Sequence, residues 1–269
     1  MSENKLNTEN KQVTPNTTYL KDYKAPDYLI KTVEMVFELD AKKTRVTSTL
    51  QVKKNKGVME SAAFVLNGLS LELVSVSLND QLLTDLDYQL SDEHLIISNL
   101  PEIFSIKTEV THSPEKNTAL EGLYASSNML CTQCEAEGFR RISYFPDRPD
   151  VMSEFTVTLI ADKQKYPVLL SNGNLLDSGE KENGQHWAKW YDPSLKPCYL
   201  FALVAGQLIY EQGSFTTQSG REVDLRVYVE EENSHKTEFA LACLKQSMLW
   251  DEKTYGREYD LDIFMIVAV

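Results

Sequence analysis

From Tyr19 onward the chain reads as short runs in which apolar and polar residues alternate, separated by turn residues. In Tyr28–Asp40 the residues Val33, Met35, Phe37 and Leu39 share one face. In Thr44–Val52 the residues Val46, Leu50 and Val52 do, and Ala41-Lys42-Lys43 supplies a hairpin turn between the two runs. Ala62–Leu66, Leu71–Leu78, Tyr88–Leu90, His94–Ser98 and Ile103–Val110 continue the pattern. Their breaks are Asn67-Gly68, Asn79-Asp80, Ser91-Asp92 and Asn99-Leu100-Pro101, all residues that favour turns. Many short strands at this spacing predict a β-sandwich or a curved stack of sheets.

Residues 113–150 interrupt the alternation, and a long irregular segment inside a compact domain is usually functional. Strands resume at Glu154–Ala161, Val168–Ser171, His186–Tyr191, Tyr199–Val204, Leu208–Thr216 and Glu222–Val229, with Asn172-Gly173 reading as a hairpin turn. In His235–Tyr255 the residues Phe239, Ala242, Cys243, Gln246, Leu249 and Trp250 recur at helical spacing. Ser234 is a candidate N-cap there, and Gly256 a stop. Tyr259–Val269 is a nearly continuous apolar strand of the kind buried on both faces, which needs neighbouring strands and covering layers. The expected organisation is a polar, disordered tail (1–18), a β-domain (19–206) and the start of a second, mixed α/β domain (207–269). Ending on Ile263–Val269, the chain is expected either to bury that strand deeply or to be cut short there.

Charge and composition narrow the function classes. The formal net charge of the 269-residue chain is −13. A deficit of Lys and Arg argues against nucleic acid and against anionic lipid as main partners. No run approaches the ~18 apolar residues of a membrane helix. Met1–Thr18 lacks the apolar core of a secretory signal, and Cys131, Cys134, Cys198 and Cys243 are too few for a disulfide framework, so the expected compartment is the cytoplasm.

Candidate chemistry concentrates in the irregular segment. Cys131-Thr132-Gln133-Cys134 has CxxC spacing, which suits a redox pair or half a zinc site. Two half-buried thiols that shape a loop are the plainer reading. A structural zinc needs four ligands, whereas Cys198 and Cys243 are distant, in a predicted strand and helix, and no His lies at ligand spacing from them. Gln133 and Glu135 put a side-chain carbonyl and a carboxylate side by side, two acceptors able to hold an ammonium group. Against this stands a salt bridge of Glu135 or Glu137 with Arg140 or Arg141. Tyr144–Asp150 reads as a rigid corner fixed by Pro146 and Pro149, with Asp147 free to cap backbone N–H groups. No HExxH, GxSxG, GxGxxG or phosphate-binding loop occurs.

TALEGLYASSNMLCTQCEAEGFRRISYFPDRPDV (Thr118–Val151), LLSNGN (Leu169–Asn174), KPCYLFALVAG (Lys196–Gly206) and YDLDIFMIVAV (Tyr259–Val269) follow one another in an order that resembles the bacterial aminopeptidase N family of gluzincin zinc peptidases, the alanyl aminopeptidases. The resemblance runs from Tyr19 to Val269. It implies a saddle-like N-terminal β-sandwich followed by the truncated start of a thermolysin-like α/β catalytic domain. It also implies that Glu135, with Gln133 beside it, holds the free α-ammonium of a peptide substrate. The family's GAMEN and HExxH motifs, and with them the Zn2+ ligands, are absent and are expected beyond Val269. The resemblance therefore implies a zinc aminopeptidase as the parent protein, and a chain that by itself neither binds the catalytic zinc nor cleaves peptides. Its expected partners are peptides with a free N-terminus and the remainder of the catalytic domain. A non-catalytic β-sandwich scaffold that shares only the fold is the alternative, and a CxxC redox or zinc protein a third.

Overall fold

The computed structural model describes residues 17 and 19–268. The tail expected over 1–18 lies, Thr17 apart, outside the described residues, as does Val269. In chain order the strands are β1 (Tyr28–Glu38), β2 (Thr44–Lys54), β3 (Phe64–Asn67), β4 (Glu72–Leu78), β5 (Gln81–Leu82), β6 (Tyr88–Leu90), β7 (His94–Ile97), β8 (Ile103–His112), β9 (Gly122–Ser126), β10 (Met129–Gln133), β11 (Met152–Asp162), β12 (Val168–Ser171), β13 (Asn174–Glu180), β14 (Gln185–Pro197), β15 (Leu203–Gly206), β16 (Ile209–Thr216) and β17 (Glu222–Val229). The helix α1 (Thr237–Tyr255) and β18 (Ile263–Val267) follow.

A mixed eight-stranded sheet, ordered β13-β14-β11-β1-β2-β8-β4-β5, forms the backbone of the fold. The alternation read from sequence sets its inner face: Val33, Met35, Phe37, Val46, Leu50 and Val52 are all buried. Asp40 closes the β1–β2 hairpin by accepting from the backbone N–H groups of Lys42 (2.8 Å) and Lys43 (3.2 Å). A three-stranded sheet, β3-β7-β6, and a four-stranded sheet, β12-β15-β10-β9, complete the layers around the main apolar core.

Within the β-domain the structure departs from the sequence pattern at several elements. The irregular segment contains the β9–β10 hairpin, paired from Ser126–Met129 to Gly122–Gln133. Asn172-Gly173 does not close a hairpin: β12 pairs with β15 while β13 pairs with β14, so the turn carries the chain from one sheet to another. Gly173 still needs its glycine, since φ is +91° and a Cβ would lie 2.1 Å from the Tyr191 carbonyl oxygen. Finally, the strand expected over Tyr199–Val204 is a 3-10 turn (Cys198–Leu200) followed by the first half of β15 (Leu203–Gly206).

Beyond β15 the β16-β17-β18 sheet forms a second apolar cluster with α1, built from Val223, Leu225, Val227, Val229, Leu241, Leu244 and Met248. β17 and β18 are parallel, and α1 is the crossover such a pair requires. Gly256 caps α1 in the left-handed region, φ +63°, its N–H bonding to the Glu252 carbonyl. Ser234 is not the N-cap. A 3-10 turn over Glu231–Lys236 runs straight into the helix, and Lys236 occupies the cap position without a side-chain bond. Leu241, Leu244 and Met248 face the sheet, while Phe239 and Trp250 are exposed. β18 is half-buried, where full burial was expected, because it pairs only with β17 among the described residues. Its Ile263, Met265 and Val267 pack on the main core and its Phe264 and Ile266 on the second cluster, so the strand joins the two.

Candidate functional site

Gln133 ends β10, and the chain then turns sharply through Cys134–Gly138 into a 3-10 turn over Phe139–Arg141. Cys134 points into the core while Gln133, Glu135 and Glu137 are exposed. Below the turn, Phe139 contacts Phe145 and Phe201 edge-on at centroid distances of 5.2 and 5.3 Å, a geometry that suits the ring quadrupoles.

Two glycines let the turn close this tightly. The Gly138 N–H donates to the Cys134 carbonyl at 2.8 Å. A Cβ on Gly138 would lie 2.3 Å from the Gln133 carbonyl oxygen and 3.0 Å from the Gly122 nitrogen. Gly122, the ladder partner of Gln133, has φ +72° and is pressed against Arg141.

Asp147, buried, ties the turn to two distant segments, through its carboxylate and its backbone N–H. Asp147 Oδ2 accepts from the backbone N–H (3.1 Å) and Nε (3.0 Å) of Arg140, and Oδ1 accepts from Cys198 Sγ at 3.0 Å. The Asp147 N–H donates to Asn67 Oδ1 at 3.1 Å. Sequence reading gave Asp147 a capping role. It does accept a backbone N–H, but its larger role is as this hub, which turn chemistry alone does not signal.

The competing salt-bridge reading divides between the two glutamates. Glu137 pairs with Arg140 at 3.2 Å, and Arg141 pairs with Glu121 at 3.1 Å. Glu135 makes no ion pair among the described residues. Gln133 Nε2 donates to the Glu135 carbonyl oxygen at 3.1 Å, which fixes the amide plane and leaves Gln133 Oε1 as an acceptor. The two side chains thus offer a carboxylate and an amide carbonyl at the same exposed edge.

The CxxC cysteines are fully buried rather than half-buried. Burial pushes the Cys131 thiol up, and burial followed by the Asp147 charge pushes Cys134 up, so neither is a thiolate near neutral pH. Tyr124 is pushed up to about 12 by its hydrogen bond with Cys131 and by burial. Among the described residues no group of three or more His, Cys, Asp or Glu side chains could hold a metal ion, so the donor set does not fit a catalytic zinc.

Comparison with known proteins converges on one family. The profile of the Peptidase M1 N-terminal domain matches residues 25–200. Aminopeptidase N of Escherichia coli K12 is 53% identical over 255 residues, covering 95% of this chain and 29% of that protein. The crystal structure of Legionella pneumophila aminopeptidase A in complex with aspartic acid superposes with a TM-score of 0.88 at 38% identity, over 94% of this chain and 30% of the other. An M1 zinc metallopeptidase of Deinococcus radiodurans, bound to a Tyr-Ser-Ala substrate, shares the fold with a TM-score of 0.74 at 14% identity, over 90% of this chain and 57% of the other. The chain thus spans less than a third of the length of the curated relative, 29%.

Proposed function

Because the chain belongs to the Peptidase M1 N-terminal domain family, we propose that it is the substrate-anchoring part of a zinc-dependent aminopeptidase that releases N-terminal amino acids from peptides. Glu135 and Gln133 are the anchor. The observation that carries this reading is that Glu135, alone of the acidic residues around the turn, is left without an ion pair among the described residues, on a loop held rigid from beneath. A carboxylate so placed offers the opposite charge and two acceptors to an α-ammonium, and Gln133 Oε1 offers a third. A substrate with a blocked N-terminus would leave those acceptors unpaired in a closed site, and that penalty is what makes the recognition selective.

The domain limits belong to the same proposal. Residues 19–206 form the β-domain, and 207–269 open a thermolysin-like catalytic domain. The second apolar cluster and the β17–α1–β18 crossover support that division. Zinc would be held by residues outside this chain. The partners are peptides with free N-termini and the rest of the catalytic domain. No helix among the described residues is long and apolar enough to cross a membrane. A cytoplasmic location is proposed with the rest, on the four unbridged cysteines.

The test is Glu135→Ala in the longer enzyme, assayed on aminoacyl amides. Loss of one hydrogen-bonded charge contact, worth about 1.5–3 kcal/mol, lowers kcat/KM by about 10- to 150-fold. An unchanged kcat/KM removes the assignment.

A further inference from the structure

Asn172 and Asn174 flank Gly173, and each commits both ends of its side-chain amide to a different segment. Asn172 Oδ1 accepts from the Ala202 N–H at 2.7 Å, and its Nδ2 donates to the Leu200 carbonyl at 3.1 Å. Asn174 Oδ1 accepts from the Asp262 N–H, and its Nδ2 donates to Asp262 Oδ2, both at 2.9 Å. The partners fix the orientation of each amide, since an N–H must meet the oxygen and an acceptor must meet the nitrogen. The backbone between the two has no slack. Gly173, at φ +91°, is pressed against Tyr191, and Asn174 is the ladder partner of Tyr191 in the β13–β14 pair.

The two clasps join the strand that carries Gln133 to β18. Ala202 precedes Leu203, whose N–H donates to Thr132 Oγ1 at 2.8 Å, and β15 lies beside β10 in one sheet. At the other end, Asp262 immediately precedes β18. Its carbonyl accepts from the Asp224 N–H of β17 at 2.9 Å, and Arg221 Nη1 holds the preceding Leu261 carbonyl at 2.7 Å. A path of directional bonds thus runs from Thr132 through Asn172–Asn174 to Asp262. Apolar packing sets the same distance only loosely. A cleft of about 330 Å³ opens beside the clasp, lined by Asn172, Gly173 and Leu203 and by Tyr259, Ile263 and Met265. Apolar contact is non-directional, so side chains bordering a gap can slide where a bonded amide cannot. The other hydrogen bonds across this seam among the described residues are longer: Ser194 Oγ to Asp260 Oδ2 at 3.4 Å and Gln207 Nε2 to the Gln164 carbonyl at 3.3 Å.

We propose that Asn174 is a positioning residue for the ammonium anchor: its clasp on Asp262 fixes β18, and with it the β16-β17-β18 sheet, relative to the sheet that carries Gln133. This rests on the aminopeptidase reading, in which the groups that hold the α-ammonium and those that attack the peptide bond must keep a fixed separation. A misplacement of about 1 Å between such groups costs up to about 100-fold in rate. Asn174 bonds neither Gln133 nor Glu135 and acts through Asp262. The Asp262 side chain is 73% exposed, so water competes for its carboxylate, and the arm to its backbone N–H is the stronger one.

The experiment compares Asn174→Ala with Asp262→Asn, which keeps an acceptor oxygen for Nδ2. In the 269-residue chain, amide hydrogen exchange followed by NMR reads the clasp itself. Asn174→Ala is expected to lower the protection of the Asp262 N–H about tenfold, as suits one lost hydrogen bond, and to leave the amides of β1 and β2 at parent values. In the longer enzyme the readout is the kcat/KM for an aminoacyl amide divided by that for its N-acetylated counterpart. Loss of folded enzyme cancels in this ratio, and only the free ammonium uses the anchor. Asn174→Ala is expected to lower the ratio about tenfold, and Asp262→Asn to keep it. Parent-like protection of the Asp262 N–H in Asn174→Ala overturns the proposal, and so does a parent-like ratio under conditions where Glu135→Ala lowers it. A ratio that Glu135→Ala leaves unchanged overturns the anchor reading, and the positioning role with it.

Discussion

Gly138→Ala asks whether the turn that presents Gln133 and Glu135 is held by close backbone packing. Gly138 has φ −81° and ψ −17°, a conformation that alanine adopts freely. With open space around it, the substitution would therefore stabilise the chain by about 0.4–1 kcal/mol, through a less flexible unfolded state. The space is not open. The new Cβ would lie 2.3 Å from the Gln133 carbonyl oxygen and 3.0 Å from both the Cys134 Cα and the Gly122 nitrogen. An ordinary carbon–oxygen contact is about 1 Å longer than the first of these, on the scale of normal van der Waals separations. All three obstacles are backbone, fixed by the β9–β10 ladder and by the 2.8 Å bond from Gly138 to Cys134, so no side chain can swing aside. Overpacking of this kind costs about 1–3 kcal/mol, which outweighs the entropic gain and makes the net effect destabilising. Urea unfolding of the 269-residue chain, followed by circular dichroism, measures it as a lower midpoint at constant slope. A variant as stable as the parent, or more so, refutes the packing argument. In the longer enzyme the same substitution is expected to lower kcat/KM by displacing Glu135.

Asp147→Ala removes the hub and leaves the Arg140 guanidinium, only 21% exposed, without its buried partner. A loss of about 3–5 kcal/mol in urea unfolding is expected, and Asp147→Asn, which keeps most of the hydrogen-bond geometry, should lose less. Native thiol titration should find one fast-reacting cysteine, the exposed Cys243, and release Cys131, Cys134 and Cys198 only on denaturation. More than one fast thiol would reopen the redox reading of the CxxC. Because burial holds the His112 pKa near 4 against 6.5 unfolded, the unfolded chain takes up its proton first as pH falls. His112 therefore costs no stability above about pH 6.5 and up to about 3 kcal/mol by pH 4; a pH series of urea melts in which His112→Gln loses stability as steeply as the parent over that window would contradict this.

Elements with one wet and one buried face were legible from sequence, because alternation records that asymmetry: β1, β2 and β17 stand where the pattern put them. β13 was invisible because it is an outer strand exposed along most of its length, so no alternation is written into it. The β9–β10 hairpin was hidden for the opposite reason. Met129, Leu130 and Cys131 are consecutive buried residues, which carry no period of two. Its turn falls at Ser127-Asn128, residue types that favour turns, and Ser127 has φ +50°. At Asn172-Gly173 the local conformation was legible and the pairing was not, because which strand lies beside which is decided by the whole sheet.

The candidate site divides along the same line. Residue type and spacing were enough to nominate Gln133 and Glu135, and the choice between a free carboxylate and a salt-bridged one was not local. It depends on where Arg140 and Arg141 go. Arg140 goes to Asp147 and Glu137, and Arg141 to Glu121, 20 positions away in sequence. Asp147 in turn is held by Cys198, 51 positions away, and by Asn67, 80 positions away. The free state of Glu135 is therefore a property of the closed β-domain: Glu137, Asp147 and Glu121 take both arginines and leave neither for Glu135. Asn67 and Cys198 bond neither Gln133 nor Glu135, yet both hold Asp147, the residue that takes Arg140. A substitution at either, by loosening Asp147, should return Arg140 to the competition for Glu135.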